Sequence, residues 1–409
     1  MGKFQRRTCL TYGCVGYGYV SVQNRPGGLT KRSIMPTTPD VSTNPPTTLS
    51  SQARAAQADT ARPTARPAVK PDFENKKASW TEQILLAAFV GIPFLAVLAA
   101  IPAAWGWGLN WHDVIIFAVF YVISGLGITV GYHRYFTHSS FKASKPLRVA
   151  LAIAGSMAVE GPVITWVSDH RRHHKYSDKE GDPHSPWRYG TGAKALAKGL
   201  AFAHVGWLFD PNKTSQEKFS PDLLADSAIR KTDNWFVAWV AVSMLGPALI
   251  GGLWGMSFHG ALTAFFWASL IRICLLHHVT WSINSVCHVW GNEDFTARDK
   301  SRNVSWLAIL SFGESWHNLH HADPTCARHG ALRGQVDSSA RLIWVFEKLG
   351  WAWDVRWPDE ERLATKRSAA STRTLGSMTK QNALKNSAGR HGNDENSIKA
   401  PREADRRAA

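Results

Sequence analysis

The chain has 409 residues, 44% of them hydrophobic, and a formal net charge of +16. Its basic residues do not interleave with aromatics as in a nucleic-acid-binding module, which excludes that class, and five cysteines without a CxxC pair exclude a disulfide framework. A division into two or three soluble domains, the usual reading of this length, is excluded as well, because long apolar runs crowd between about 84 and 281 while both ends are polar and basic.

Residues 1–78 are rich in Pro, Thr, Ser, Ala and Arg without apolar periodicity and read as a disordered tail. Lys3, Arg6 and Arg7 precede a stretch too polar for a signal-peptide core, and Arg6 stands where a myristoylation signal needs Ser or Thr. Met35 opens a second ordinary N-terminus, and a translation start there is one expectation. A first membrane span is expected over about 84–107, long enough to cross ~30 Å of hydrocarbon, with Pro93 and Pro102 as kinks. The loop 108–113 has no Lys or Arg, and a second span over about 114–132 completes a hairpin that delivers His133 to the far side.

Residues 133–232 carry fifteen Lys and Arg, which marks them as cytoplasmic. Within them, 149–159 is apolar but too short to cross, so an interfacial or re-entrant helix is expected. The third span is placed at about 235–254. The fourth, at about 261–280, carries Arg272, His277 and His278 towards its inner end. A charged Arg272 is costly in lipid; it is expected to snorkel or pair within the bundle, the alternative being contact with an anionic substrate group. Residues 342–357 are amphipathic and Trp-rich, suited to the membrane surface, and 361–409 read as a disordered basic tail. The expectation is an all-α integral membrane protein with its membrane unit at 79–360. Four transmembrane helices carry a cytosolic helical cap, and both termini and every histidine group lie on the cytoplasmic side.

Seventeen histidines are present, and nine of them fall into four groups. His170, His173 and His174 repeat the spacing of His317, His320 and His321; at i, i+3 and i+4 on a helix the three rings share a face and can converge on one ion. Two such triplets imply two ions, or one site closed from two sides. His133 and His138 are spaced i, i+5, about 140° apart on an ideal α-helix, so they either flank the helix end or serve different ions. Asn284 and His288, at i, i+4 after the fourth span, complete the set. Imidazole alone does not select a metal, but structural zinc takes four ligands and usually recruits cysteine. Nine histidines and an Asn suit two ions of five or six coordination, which favours iron. Asp169 and Glu314, adjoining the triplets, are expected to orient ligand imidazoles, with Asp178 and Asp182 as further candidates. His184 and His204 lie outside ligand spacing. His277 and His278 stand about 15 Å along a helix from His288, too far to share an ion.

The runs His133-Arg-Tyr-Phe-Thr-His138, His170-Arg-Arg-His-His174, Asn284-Ser-Val-Cys-His288 and His317-Asn-Leu-His-His321 resemble the histidine boxes of the integral-membrane acyl-CoA desaturases, in particular the stearoyl-CoA Δ9 branch. The flanks 166–170, 175–178, 182–184 and 313–317 extend the resemblance, and 181–187 gives it a bacterial cast. The resemblance implies two Fe ions held by these nine histidines, with Asn284 acting through a water. It implies a bent tunnel for a saturated acyl-CoA of sixteen to eighteen carbons, and insertion of a cis double bond with O2 as oxidant. It also implies a multi-pass protein of a bacterial plasma membrane, with termini and active site cytoplasmic. No haem-ligand histidine follows Arg25, so electrons are expected from a separate ferredoxin, cytochrome or flavoprotein reductase. Phe117, Phe120 and Tyr121 are expected to close the far end of the tunnel. Rival readings are a desaturase of acyl chains on intact lipids, a histidine-box hydroxylase and, from another class, a metal transporter. The last would need its ligands within the spans rather than at their ends.

Overall fold

The computed structural model describes residues 71–367. The tails are expected at 1–78 and 361–409, and of these residues 1–70 and 368–409 lie outside the described residues.

Among the described residues, four helices are long and apolar enough to cross a membrane: Trp80–Ala100, Trp111–Thr137, Phe236–Trp254 and Phe258–His288. They form a bundle whose outward faces are Leu, Val, Ile and Phe, as a lipid solvent requires. The first helix begins on a reciprocal cap, in which Ser79 Oγ accepts from the Glu82 amide and Glu82 accepts from the Ser79 amide. It runs on to Trp107 through Pro93 and Pro102. The fourth helix is longer than its apolar run: it passes position 280 without a break and carries Asn284 and His288 below the bundle.

Arg272 is completely buried and donates to five oxygens. These are Ala268 O at 3.1 Å, Ser124 Oγ at 3.4 Å, Met157 O at 3.2 Å, Ser243 O at 3.0 Å and Ser243 Oγ at 2.7 Å. It therefore neither snorkels nor faces a substrate. Its guanidinium ties the second, third and fourth spans to the end of the interfacial segment, using neutral acceptors only.

That interfacial segment is the helix Lys145–Ser156, laid across the second span. The two backbones cross closely: a Cβ on Gly127 would stand 2.2 Å from the carbonyl carbon of Ala154. Tyr132 and Ser156 share a 2.9 Å hydrogen bond at the crossing. The cap continues with the helices Val163–Tyr176, Ala193–His204, His317–Ala322 and Ser338–Lys348, and a two-residue ribbon pairs Lys142 with Trp353.

The described residues of both expected tails make contacts with the rest of the chain. Asp72 accepts from Tyr176 Oη at 2.8 Å and pairs with Lys218 at 2.6 Å, and Phe73 lies 4.2 Å beneath the Arg172 guanidinium. At the other end, Leu363 in the helix Glu360–Lys366 is buried against Phe295 and Leu319.

Candidate metal centre

The second span changes its winding before it ends. Its α-helix Trp111–Leu126 passes into π-helix over Gly127–Thr137. In π winding an amide bonds five residues back, as His138 N does to His133 O at 3.2 Å. Side chains five apart then lie above one another, and the His133 and His138 rings come within 4.9 Å. The choice left open by the α-helical angle is thereby resolved: both rings join one cluster.

The nine imidazoles form two adjacent groups. His133, His138, His170, His174 and His320 make one; His173, His288, His317 and His321 make the other. Neither triplet stays together. On a helix the i and i+4 positions differ by about 40°, whereas i+3 and i+4 lie about 100° apart. His170 and His174 therefore share a group while His173 crosses to the other, and His317 and His321 share a group while His320 crosses back. Each triplet thus spans both sites.

Within the groups the Nε2 atoms face each other. The separations are 3.2 Å for His170–His174, 2.9 Å for His174–His320, 3.1 Å for His133–His320, 3.1 Å for His288–His317 and 3.0 Å for His317–His321. A cation about 2.1 Å from two such nitrogens sets them about 3.0 Å apart at a right angle and about 3.4 Å apart at the tetrahedral angle. The observed separations are those of nitrogens able to share one cation. Burial, reinforced by the neighbouring imidazoles, holds His138, His170, His174, His317, His320 and His321 well below the usual imidazole range. They are neutral at pH 7, the form that ligates metal. The Nε2 atoms of His138 and His173 are buried without a protein partner among the described residues. The donor set fits two ions.

Carboxylates fix four of the rings from behind. The Nδ1 of His133 lies 2.5 Å from Glu314, that of His173 2.9 Å from Asp182, that of His288 2.9 Å from Asp178 and that of His321 2.6 Å from Asp299. A donated Nδ1–H leaves Nε2 free to face the ion. Burial pushes these acids up, but the imidazoles outweigh it, helped by Arg134 at Glu314, and all four sit below the usual carboxylate range. Glu314 also accepts from Arg134 Nε at 3.0 Å, and Arg134 reaches Asp337 at 3.0 Å.

Asp169 has a different setting. Its carboxyl bonds Thr214 and faces Arg172, no imidazole is among its partners, and burial pushes it up to about 6. Asp299 and fully buried His329, whose ring lies 4.5 Å from that of His320, were not singled out by the sequence. Asp299 meets His321 across 22 residues in no helical register, so spacing carries no signal for it. His184 stacks on His173 at 4.2 Å, His204 pairs with His278 at 2.9 Å, and His277 donates to Ala158 O at 2.9 Å.

A cavity of about 240 Å³ leads from the bundle to these groups. Leu86, Phe89, Val90, Phe236 and Val240 line its membrane end; His133, His170, His317 and Asn284 line its inner end. Phe117, Phe120 and Tyr121 do not line it. Phe120 packs towards Gly246, and Tyr121 donates to Leu310 O at 2.9 Å. Trp166 stacks on His170 and donates to Glu160, whose carboxyl burial pushes up to about 7.

A fatty acid desaturase family model matches residues 109–331. The hex-5-enoyl-[acyl-carrier protein] acetylenase of Moorena producens (strain JHB) is 38% identical over 280 residues, covering 68% of this chain and 87% of that protein. Delta-9 acyl-lipid desaturase 1 of Arabidopsis thaliana is 35% identical over 291 residues, 69% of this chain and 87% of that protein. The acyl-CoA C20 Delta5-desaturase of Anemone leveillei is 34% identical over 300 residues, 70% of this chain and 88% of that protein.

Proposed function

The chain belongs to the fatty acid desaturase family, and on that premise we propose that it inserts a cis double bond at Δ9 of a saturated fatty acyl-CoA, using dioxygen. The observation that carries this reading is the junction of an apolar cavity with two groups of imidazoles, five and four in number. Two irons held by His133, His138, His170, His174 and His320 and by His173, His288, His317 and His321, with Asn284 through water, would supply the oxidising power that takes two hydrogens from the chain, and two further electrons from a separate donor with two protons from solvent complete the reduction of O2 to two waters.

The protein's own part is position and dryness. Each methylene buried in the cavity contributes about 0.8 kcal/mol, which offsets the entropy lost on fixing the chain. Adjacent methylenes are chemically alike, so the carbon pair attacked is chosen by where the walls hold it. Trp166, stacked on His170, forms part of that wall beside the ligands. The reading carries with it a membrane unit over 79–360, a site and termini on the cytoplasmic face of a bacterial plasma membrane, and a separate electron donor.

One observation favours a second carrier. The cavity lining includes no Lys or Arg to meet CoA phosphates, and Phe89 on its wall is also exposed on the membrane face of the bundle. Both suit an acyl chain presented by a membrane lipid. The test supplies purified enzyme in vesicles, with O2 and a reduced ferredoxin or cytochrome as donor, with stearoyl-CoA or with a phospholipid bearing saturated chains, and maps the product. A Δ9 double bond on CoA supports the proposal. The bond on phospholipid alone moves it to the second carrier, and a hydroxyl product overturns desaturation.

A further inference from the structure

The cap exposes large apolar side chains where a water-facing domain would not. Trp306 is 70% exposed, Ile309 72% and Leu310 41%, all within the uncharged stretch 303–313 that leads into the last histidine helix. Two contacts fix the depth of this stretch. Leu310 O accepts from Tyr121 Oη at 2.9 Å, and the Phe312 ring lies against Gly125, where a Cβ would stand 2.3 Å from it. Tyr121 lies ten residues past Trp111, about 15 Å along the second span, which is roughly halfway through ~30 Å of hydrocarbon.

Much of the backbone of the stretch is paired, as that depth favours. The amides of Leu307, Ala308, Ser311, Phe312 and Gly313 bond within it, and the Leu310 carbonyl is covered by the tyrosine. Backbone in lipid must be satisfied in this way. Its exposed face is continuous with the lipid face of the second span, where Val119, Val122 and Ile123 are exposed. We propose that residues 303–313 form a re-entrant segment seated in the bilayer hydrocarbon beside the second span, with lipid acyl chains covering Trp306, Ile309 and Leu310. The segment ends at Gly313, one residue before Glu314, so lipid packing bears directly on the carboxylate that orients His133.

Site-directed nitroxide labelling of the full chain in phosphatidylcholine vesicles tests this. Cys9 and Cys14 are replaced by Ser, and Cys274, Cys287 and Cys326 are buried. A label at Ile309→Cys is compared with lipid-facing Ile115→Cys and water-facing Glu180→Cys, reading collision with oxygen against collision with a nickel chelate. The expected result is an oxygen-to-nickel ratio raised to the Ile115 level, and the same at Trp306→Cys. A ratio at the Glu180 level overturns the proposal. Shielding from both reagents overturns it too, because protein rather than lipid would then cover the face. The readout needs neither metal nor activity.

Discussion

The two histidine groups look alike in ligand chemistry but differ in what stands behind them. The four-histidine group has three carboxylates on its Nδ1 atoms, from Asp182, Asp178 and Asp299. The five-histidine group has one, Glu314, and that one is shared with Arg134 and lies 3.3 Å from His329. Carboxylates behind imidazoles raise ligand basicity and offset the charge of a bound cation. One group would hold a cation with more imidazoles, the other with more negative charge, and the two sites are therefore expected to differ in affinity and in the oxidation state they favour.

The largest expected effect comes from removing a ligand. His173→Ala should abolish desaturation and, because the triplets are split between groups, cost about one metal per chain rather than two; metal analysis of purified protein measures this. Loss of both would break the view of separable sites. Next is Glu314→Gln, which weakens the anchor of His133 and half the pairing of buried Arg134. Breaking a buried pair costs about 3–5 kcal/mol. A lowered melting temperature is expected together with preferential metal loss from the five-histidine group. Asp182→Asn should leave the fold intact and lower metal affinity about 10- to 100-fold, the usual effect of losing such a partner, with the loss confined to the four-histidine group in a metal titration.

A pH series gives a smaller effect with a definite sign. Six imidazoles are held below their usual range in the folded chain. Below pH ~6.5 the unfolded chain binds more protons than the folded one, so stability of the metal-free protein should fall as pH drops through that value. Thermal unfolding of metal-free protein at pH 8 and pH 6 checks the direction. The smallest effect belongs to Asp169→Asn, which should leave metal content unchanged because that carboxyl bonds Thr214 rather than an imidazole. A drop in bound metal would put Asp169 back among the supporting acids.

Much of the molecule was legible in the chain. Apolar runs mark the four spans because lipid rewards composition over a length that hardly depends on packing. The histidine boxes stand out because imidazoles at helical spacing are rare outside metal sites. The helix of the fourth span continues past position 280, where hydropathy falls, so hydropathy alone does not mark where the helix ends. Arg272 was legible as costly, but its five acceptors come from segments as distant as Ser124 and Ser243.

By itself the sequence determined that nine histidines and an asparagine gather at one end of a four-helix membrane bundle, because local spacing and hydropathy act over a few turns. Only the tertiary structure decided how the rings divide. The π winding of 127–137 brings His133 over His138, and the helix angle sends His173 and His320 across to the opposite groups. Likewise only the fold brought Asp299 to His321 and the stretch 303–313 against Tyr121. Those contacts join segments far apart in the chain, and their geometry depends on packing that no local pattern encodes.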